Sequence, residues 1–177
     1  MSQFKDKPFN VRFKKMGDMA EGVFKHWCRQ NDITYVEYGM QRPPFDHFMR
    51  LSPFLRYTPD FLCEAQGERF DHLIDERGKI TRHFLTEIKG VGRDQIIKLK
   101  LDNVQQLCNW QTSSGRPVTV FVYDSKNEAI SYRMTMDKLA ELLPDLEVDH
   151  FQDGGKPKPF YRLPTSLLEW ESFERMN

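Results

Sequence analysis

The chain has 177 residues, 39% of them hydrophobic and 29% charged, with 26 basic and 26 acidic side chains and a formal charge of +0. That length suits one domain with a proper core, and the zero balance excludes a global basic field, so nucleic acid would have to be met through local charge separation. No run approaches the roughly 20 apolar residues of a membrane span, and Met1-Ser2-Gln3-Phe4-Lys5-Asp6-Lys7 lacks the apolar stretch of a signal peptide, so a cytoplasmic location without membrane contact is expected.

In chain order, the first element is a helix over Asp18 to Gln30, with Met19, Val23, Phe24 and Trp27 on one face. Asp18 is placed as its N-cap, with Glu21 in the capping-box position. Ile33 to Tyr38 is a short β-rich run. From Gly39 to Leu55 the pattern breaks into an aromatic loop punctuated by Pro43, Pro44 and Pro53. Thr58 to Glu64 and Ile80 to Lys89 read as strands, the second bounded by Gly90 and Gly92. A helix is expected over Asp94 to Gln111, striped by Ile97, Leu101, Val104, Leu107 and Cys108. Val118 to Tyr123 is nearly all apolar, as in a strand buried on both faces, and Glu128 to Met134 is a further strand. Asp137 to Leu143 is a short helix stopped by Pro144. A loop over 153–159 and an amphipathic helix over Leu167 to Arg175 complete the chain.

This order predicts an α/β fold with a central mixed sheet flanked by helices. The chain is read as a single domain over 1–177, with its core at about 18–134 and a C-terminal extension, 135–177, of unassigned role. Cys28, Cys63 and Cys108 are odd in number and widely spaced, which argues against a disulfide framework or zinc site and for buried free thiols.

The chemistry concentrates in two runs, Arg56-Tyr57-Thr58-Pro59-Asp60-Phe61-Leu62 and Phe84-Leu85-Thr86-Glu87-Ile88-Lys89-Gly90. They set an acid at the start of one strand and an acid-x-lysine at the end of another. Glu87 and Lys89 are two apart and so share a strand face, while Ile88 points to the core. Two carboxylates and an ammonium brought together can hold Mg²⁺ against a phosphodiester and activate a water. The bland alternatives are a turn after Pro59, a solvated strand edge at Glu87 and Lys89, and a simple cap at Glu21.

Glu21, Thr58-Pro59-Asp60-Phe61 and Glu87-Ile88-Lys89-Gly90, with a helix following, resemble the PD-(D/E)xK nuclease superfamily. The nearest likeness is to phage junction-resolving endonucleases, which share a helical glutamate, a Tyr-Thr-Pro-Asp-Phe-Leu run and an acid-x-Lys-Gly. The resemblance covers about Asp18 to Tyr123 and implies a restriction-endonuclease-like core. It further implies Asp60 as central metal ligand, Glu87 and the Ile88 carbonyl as the next ligands, and Mg²⁺ as the ion, with Mn²⁺ able to substitute. Lys89 would orient or deprotonate the attacking water or steady charge on the phosphate. Glu21 would reach a second ion or its water. Asp60 and Glu87 stand 27 positions apart (87 − 60), more than compact members need; the excess, about Gln66 to Lys79, includes Arg69, His72, Arg77 and Lys79.

Arg93, Lys98 and Lys100 are expected on the adjoining helix as phosphate contacts, and Gln106 is a weaker candidate beside them. Arg12-Lys14-Lys15 and Lys156-Lys158-Arg162 are further basic groups. Trp27 and Trp110 are read as core residues. The leading functional expectation is a metal-dependent endonuclease on branched or double-stranded DNA, working as a homodimer so that two sites make two cuts. Restriction, repair or transposition nicking with a protein partner that supplies DNA affinity is the second. A non-catalytic nucleic-acid-binding module is the third.

Overall fold

The computed structural model describes residues 9–39, 50–65, 82–127, 130–151 and 157–172, with side chains from 16 to 170. Helix α1 spans Phe9–Gln30. It begins nine residues before the expected start, because nothing between Pro8 and Gln30 opposes a helix except Gly17 and Gly22, which interior turns tolerate. Asp18 and Glu21 therefore lie mid-helix, and the capping box at Asp18 is overturned. At the other end the Asn31 side chain donates to Trp27 O at 2.8 Å, and Asp32 takes a left-handed φ of 53°, ending the helix.

Strands β1 (Ile33–Glu37), β2 (Phe61–Ala65), β3 (His83–Val91), β5 (Val118–Asp124), β6 (Ile130–Thr135) and β9 (Glu169–Ser172) form one sheet in the order β1-β2-β3-β5-β6-β9. The β3–β5 pair is parallel and the other pairs antiparallel, so the sheet is mixed. Strands β4 (Ile96–Lys100), β7 (Val148–Phe151) and β8 (Lys158–Pro164) form a second, antiparallel sheet in the order β4-β8-β7. A four-residue helix α2 (Pro53–Arg56), α3 (Leu101–Ser114) and α4 (Met136–Leu142) complete the regular elements. The expected α/β architecture, a central mixed sheet flanked by helices, is the one observed.

Each face of the large sheet has its own core. On one, Phe24 and Trp27 of α1 meet Phe61, Phe84 and Phe121, with the Phe24 ring 4.9 Å from Phe61 and 5.0 Å from Phe121, spacing typical of favourable aromatic pairs. On the other, Leu85, Val118, Val120 and Val122 pack with Val104 and Leu107 of α3, Leu139 of α4, and Ile97, Leu99 and Leu163 of the small sheet. All seven residues of β5 are buried, as its central place predicts.

Four expectations change. Residues 96–100 are strand rather than helix: Ile97 and Leu99 are buried while Lys98 and Lys100 are exposed, a period of two that the apolar count over a longer window concealed. The strand expected from Thr58 starts at Phe61, so Asp60 sits in the bend before it. The segment from Lys158, assigned to a loop, opens β8. The helix proposed from Leu167 is instead the edge strand β9, held by antiparallel pairing with Ile130–Arg133. Residues 1–8, 40–49, 66–81, 128–129, 152–156 and 173–177 lie outside the described residues, as do the side chains of Arg12, Lys14 and Lys15. Cys28 and Cys63 are buried, Cys108 partly so, and all three are free. Among the described residues no helix is long and apolar enough to cross a membrane.

The small sheet is tied to the large one through Gln95, a non-glycine at φ 54°. Its side-chain amide donates to Gly92 O at 3.0 Å and to Asp124 Oδ1 at 3.2 Å. Thr165 Oγ1 lies 3.1 Å from Gln95 Oε1, and Thr165 N donates to Gln95 O at 3.0 Å. The left-handed turn and these bonds swing β4 out of the β3 direction.

Candidate active site

The β2–β3 pairing brings the two runs together. Phe61 stands opposite Thr86, so one step back along β2 the antiparallel register sets Asp60 opposite Glu87. Residues directly opposite share a face, with Cβ atoms ~4.5–5.5 Å apart. The Asp60 carboxylate accepts the Ile88 N–H through Oδ2 at 2.7 Å. It is thus fixed against the middle residue of the acid-x-lysine run.

Backbone contacts lock Asp60 from behind. Its carbonyl accepts both Tyr38 N–H and Gly39 N–H at 2.9 Å. A Cβ on Gly39 would stand 3.1 Å from Asp60 Cα, so any side chain there would crowd this approach. The preceding segment is clamped as well. Trp110 stacks on Phe54 at 4.3 Å and donates its indole N–H to Phe54 O at 3.0 Å. Trp27 is core as expected, but Trp110 is only partly buried and anchors α2, which leads through Tyr57 to Asp60.

Glu87 is only 6% exposed. Its Oε1 receives hydrogen bonds from Lys89 Nζ and, at 3.3 Å, from Asn103 Nδ2. Burial, and next the charge of Glu87, push the Asp60 carboxyl up to about 7, against the opposing pull of Lys89 and the Ile88 N–H. Burial alone would lower Lys89, yet the Glu87 and Asp60 carboxylates outweigh it and hold the ammonium above the usual lysine range. Lys89 therefore stays charged, which suits hydrogen-bond donation and disfavours the general-base role allowed for it from sequence. Tyr57 is raised by partial burial and by Asp102, with Arg56 and Lys89 opposing, and so belongs to the same electrostatic neighbourhood.

Glu21 comes from the other side. Helix α1 packs on the Phe84 face of β3, whereas Glu87 lies on the Leu85 face. Glu21 is exposed; its carboxyl is raised by partial desolvation, with Lys25 lowering it and Glu37 and Asp18 raising it. Its charge reaches Asp60 as a minor raising influence. The structure thus gathers Asp60, Glu87, Ile88 and Lys89 and leaves Glu21 at the margin.

Arg93, Lys98 and Lys100 are exposed, but Lys98 and Lys100 stand on β4 rather than on the helix expected to carry them. Gln106 accepts from Asn109 Nδ2 at 3.1 Å and lies one turn along α3 from Asn103. Gly90 lies inside β3, where an added Cβ would meet Met16 Cε at 3.3 Å, and so does not bound the strand as expected.

Asn103 escaped the sequence reading because the helix was begun seven residues early. With α3 starting at Leu101, Asn103 falls four residues before Leu107 on the buried stripe. A polar residue within an apolar stripe is the signal that could have found it. Its Nδ2 must be the atom facing Glu87, since a carboxylate only accepts. That leaves Asn103 Oδ1 buried without a hydrogen-bond partner.

Among the described residues no group of three or more His, Cys, Asp or Glu side chains forms a cage for a metal ion. The donor set is a carboxylate pair of hard oxygens. It fits Mg²⁺, which is held through one or two carboxylates while keeping several waters. The raised Asp60 carboxyl reflects burial first and the charge of Glu87 second, and a divalent cation there would favour its ionised form.

No protein-family model matches the chain, and no curated protein matches it. Among solved structures, a Holliday junction resolvase from Archaeoglobus fulgidus aligns at 11% identity over 84% of this chain and 88% of its own, with a TM-score of 0.47. A nuclease from a fusselovirus aligns at 10% identity over 92% of this chain and 88% of its own, with a TM-score of 0.47. Likeness at that level leaves the functional reading to the geometry of the site.

Proposed function

We infer that this chain is a Mg²⁺-dependent DNA endonuclease, with Mn²⁺ as a substitute ion and branched or double-stranded DNA as substrate. The observation that carries the reading is the hydrogen bond from Ile88 N–H to Asp60, which fastens an acid to the centre of Glu87-Ile88-Lys89. Asp60 and Glu87, with the Ile88 carbonyl, would hold the ion, and Glu21 would act at the margin of the site. The ion would supply Lewis-acid polarisation of the phosphoryl oxygen and a more acidic water. Lys89 donates a hydrogen bond where charge grows on the phosphate or to the attacking water. Asn103 holds Glu87 in place and offers Oδ1 as an acceptor for a water proton.

We take the chain as one domain, because Ile97, Leu99 and Leu163 of the small sheet share a core with Leu85 and Val120 of the large one. A homodimer would place two such sites on a branched substrate.

The test is incubation with four-way junctions, flaps and linear duplex in Mg²⁺, beside the Asp60→Asn and Lys89→Ala variants. Cleavage by the parent chain and a loss of about 10²-fold or more in each variant are expected. Intact substrates throughout would end the reading. Equal cutting of every substrate would remove only its preference for branches.

A further inference from the structure

Lys98, Lys100, Lys158 and Arg162 are far apart in sequence, yet the small sheet places them on one face. Lys98 pairs with Arg162, Lys100 with Phe160, and Lys158 with Phe151, and directly opposed residues share a side of a sheet. The alternate residues Ile97, Leu99 and Leu163 point the other way, into the core. The cationic side is thus the outward one.

Two phenyl rings lie beneath the cations. Phe151 and Phe160 contact each other with centroids 4.2 Å apart. Lys98 Nζ stands 5.7 Å over the Phe160 ring and Lys100 Nζ 5.9 Å over Phe151. Such contacts hold lysine stems against the sheet with their charged ends outward. The carboxylates that face this side among the described residues are Asp149 and, just before β7, Glu147. Both turn to Arg162, at 3.3 Å and 3.2 Å. Lys98, Lys100 and Lys158 are exposed, so the face gathers cations on a chain of zero formal charge.

The chain also links this sheet to the candidate site. Lys100 precedes α3 directly, and Asn103, which bonds Glu87, is three residues further on. Three Cα–Cα steps of 3.8 Å put Lys100 within about 11 Å of Asn103.

We propose that the outer face of the β4-β8-β7 sheet binds the sugar–phosphate backbone of a DNA duplex through Lys98, Lys100 and Lys158 and presents that duplex to the Asp60–Glu87 site. The link to cleavage rests on the nuclease reading, whereas binding by this face does not.

The test is binding of a short fluorescent duplex in EDTA across a salt series, so that no cleavage enters. The triple variant Lys98→Gln, Lys100→Gln, Lys158→Gln keeps stems that still cover the rings, and Lys126→Gln with Lys138→Gln removes exposed charges elsewhere. Each lost phosphate contact lowers the log–log salt slope by about 0.9, so the triple variant should lose roughly 2 to 3 and the control pair nothing.

An unchanged slope, an equal change in the control pair, or equal weakening toward poly-glutamate would overturn the proposal. An altered slope with no cleavage by the parent chain in Mg²⁺ would support this face and remove the nuclease reading alone.

Discussion

The two faces of β3 carry different burdens. Phe84 and Ile88 on one side join the aromatic core under α1. On the other, Leu85 and Val91 pack beneath α3 and the small sheet, while Glu87 and Lys89 sit between them as buried or half-buried charge. One strand therefore serves as a wall of packing and a platform for chemistry, separated only by its two-residue period. The difference shows why a charge can survive here: the rigid aromatic face fixes the strand, so the opposite face can hold groups that cost stability.

The largest effect should come from the packing side. Phe24→Ala removes a fully buried ring that touches Phe61, Phe121, Trp27 and Tyr35, and should cost about 3–5 kcal/mol of stability. Urea unfolding measures it. Molecules that remain folded should cut DNA at the parent rate, which would keep the two faces independent. A loss of rate beyond the unfolded fraction would join them.

On the chemical side, Asn103→Ala removes the neutral donor to Glu87 and the unpartnered acceptor together. Stability should move by no more than about 1 kcal/mol, since one weak bond and one unsatisfied atom are lost at once. The rate should fall by roughly tenfold, less than the ~10²-fold of a group that acts on the reacting atoms, because Asn103 acts through Glu87. Asn103→Asp should do worse than Ala, because it sets a further carboxylate against Glu87. Single-turnover cleavage at saturating DNA separates these outcomes, and equal rates in Ala and Asp would show that Asn103 only fills space.

The last effect concerns pH. Asp60 holds its proton to about 7 in the fold against an ordinary 3.8. Between those values the native chain binds more protons than the unfolded chain, so metal-free stability falls as pH rises through that window. Melting in EDTA should therefore occur at lower temperature at pH 8 than at pH 5, each kcal/mol being about 2–4 °C for a chain of this size. Asp60→Asn should flatten the decline, and Mg²⁺ at pH 8 should recover part of it. A parent melting curve that rises with pH would show that Asp60 is not the strained group.

Much of the large sheet was legible from periodicity. The nearly all-apolar run Val118 to Tyr123 and the acid-x-lysine alternation needed only neighbours in sequence to be read. The small sheet was not. Its β4 shares apolar residues with the following helix, and β7 and β8 gain their strand character from partners up to 68 residues away, as Ile96 opposite Pro164 shows (164 − 96). The same limit hid Asn103, whose role depends on where α3 begins.

The sequence by itself determined that Glu87 and Lys89 share a face, because alternation is a property of any extended backbone. Tertiary structure decided that Asp60 faces them, that α1 brings Glu21 from the opposite side, and that scattered lysines meet on one surface. Those outcomes depend on strand register and sheet order, which are set by burial summed over residues distant in the chain.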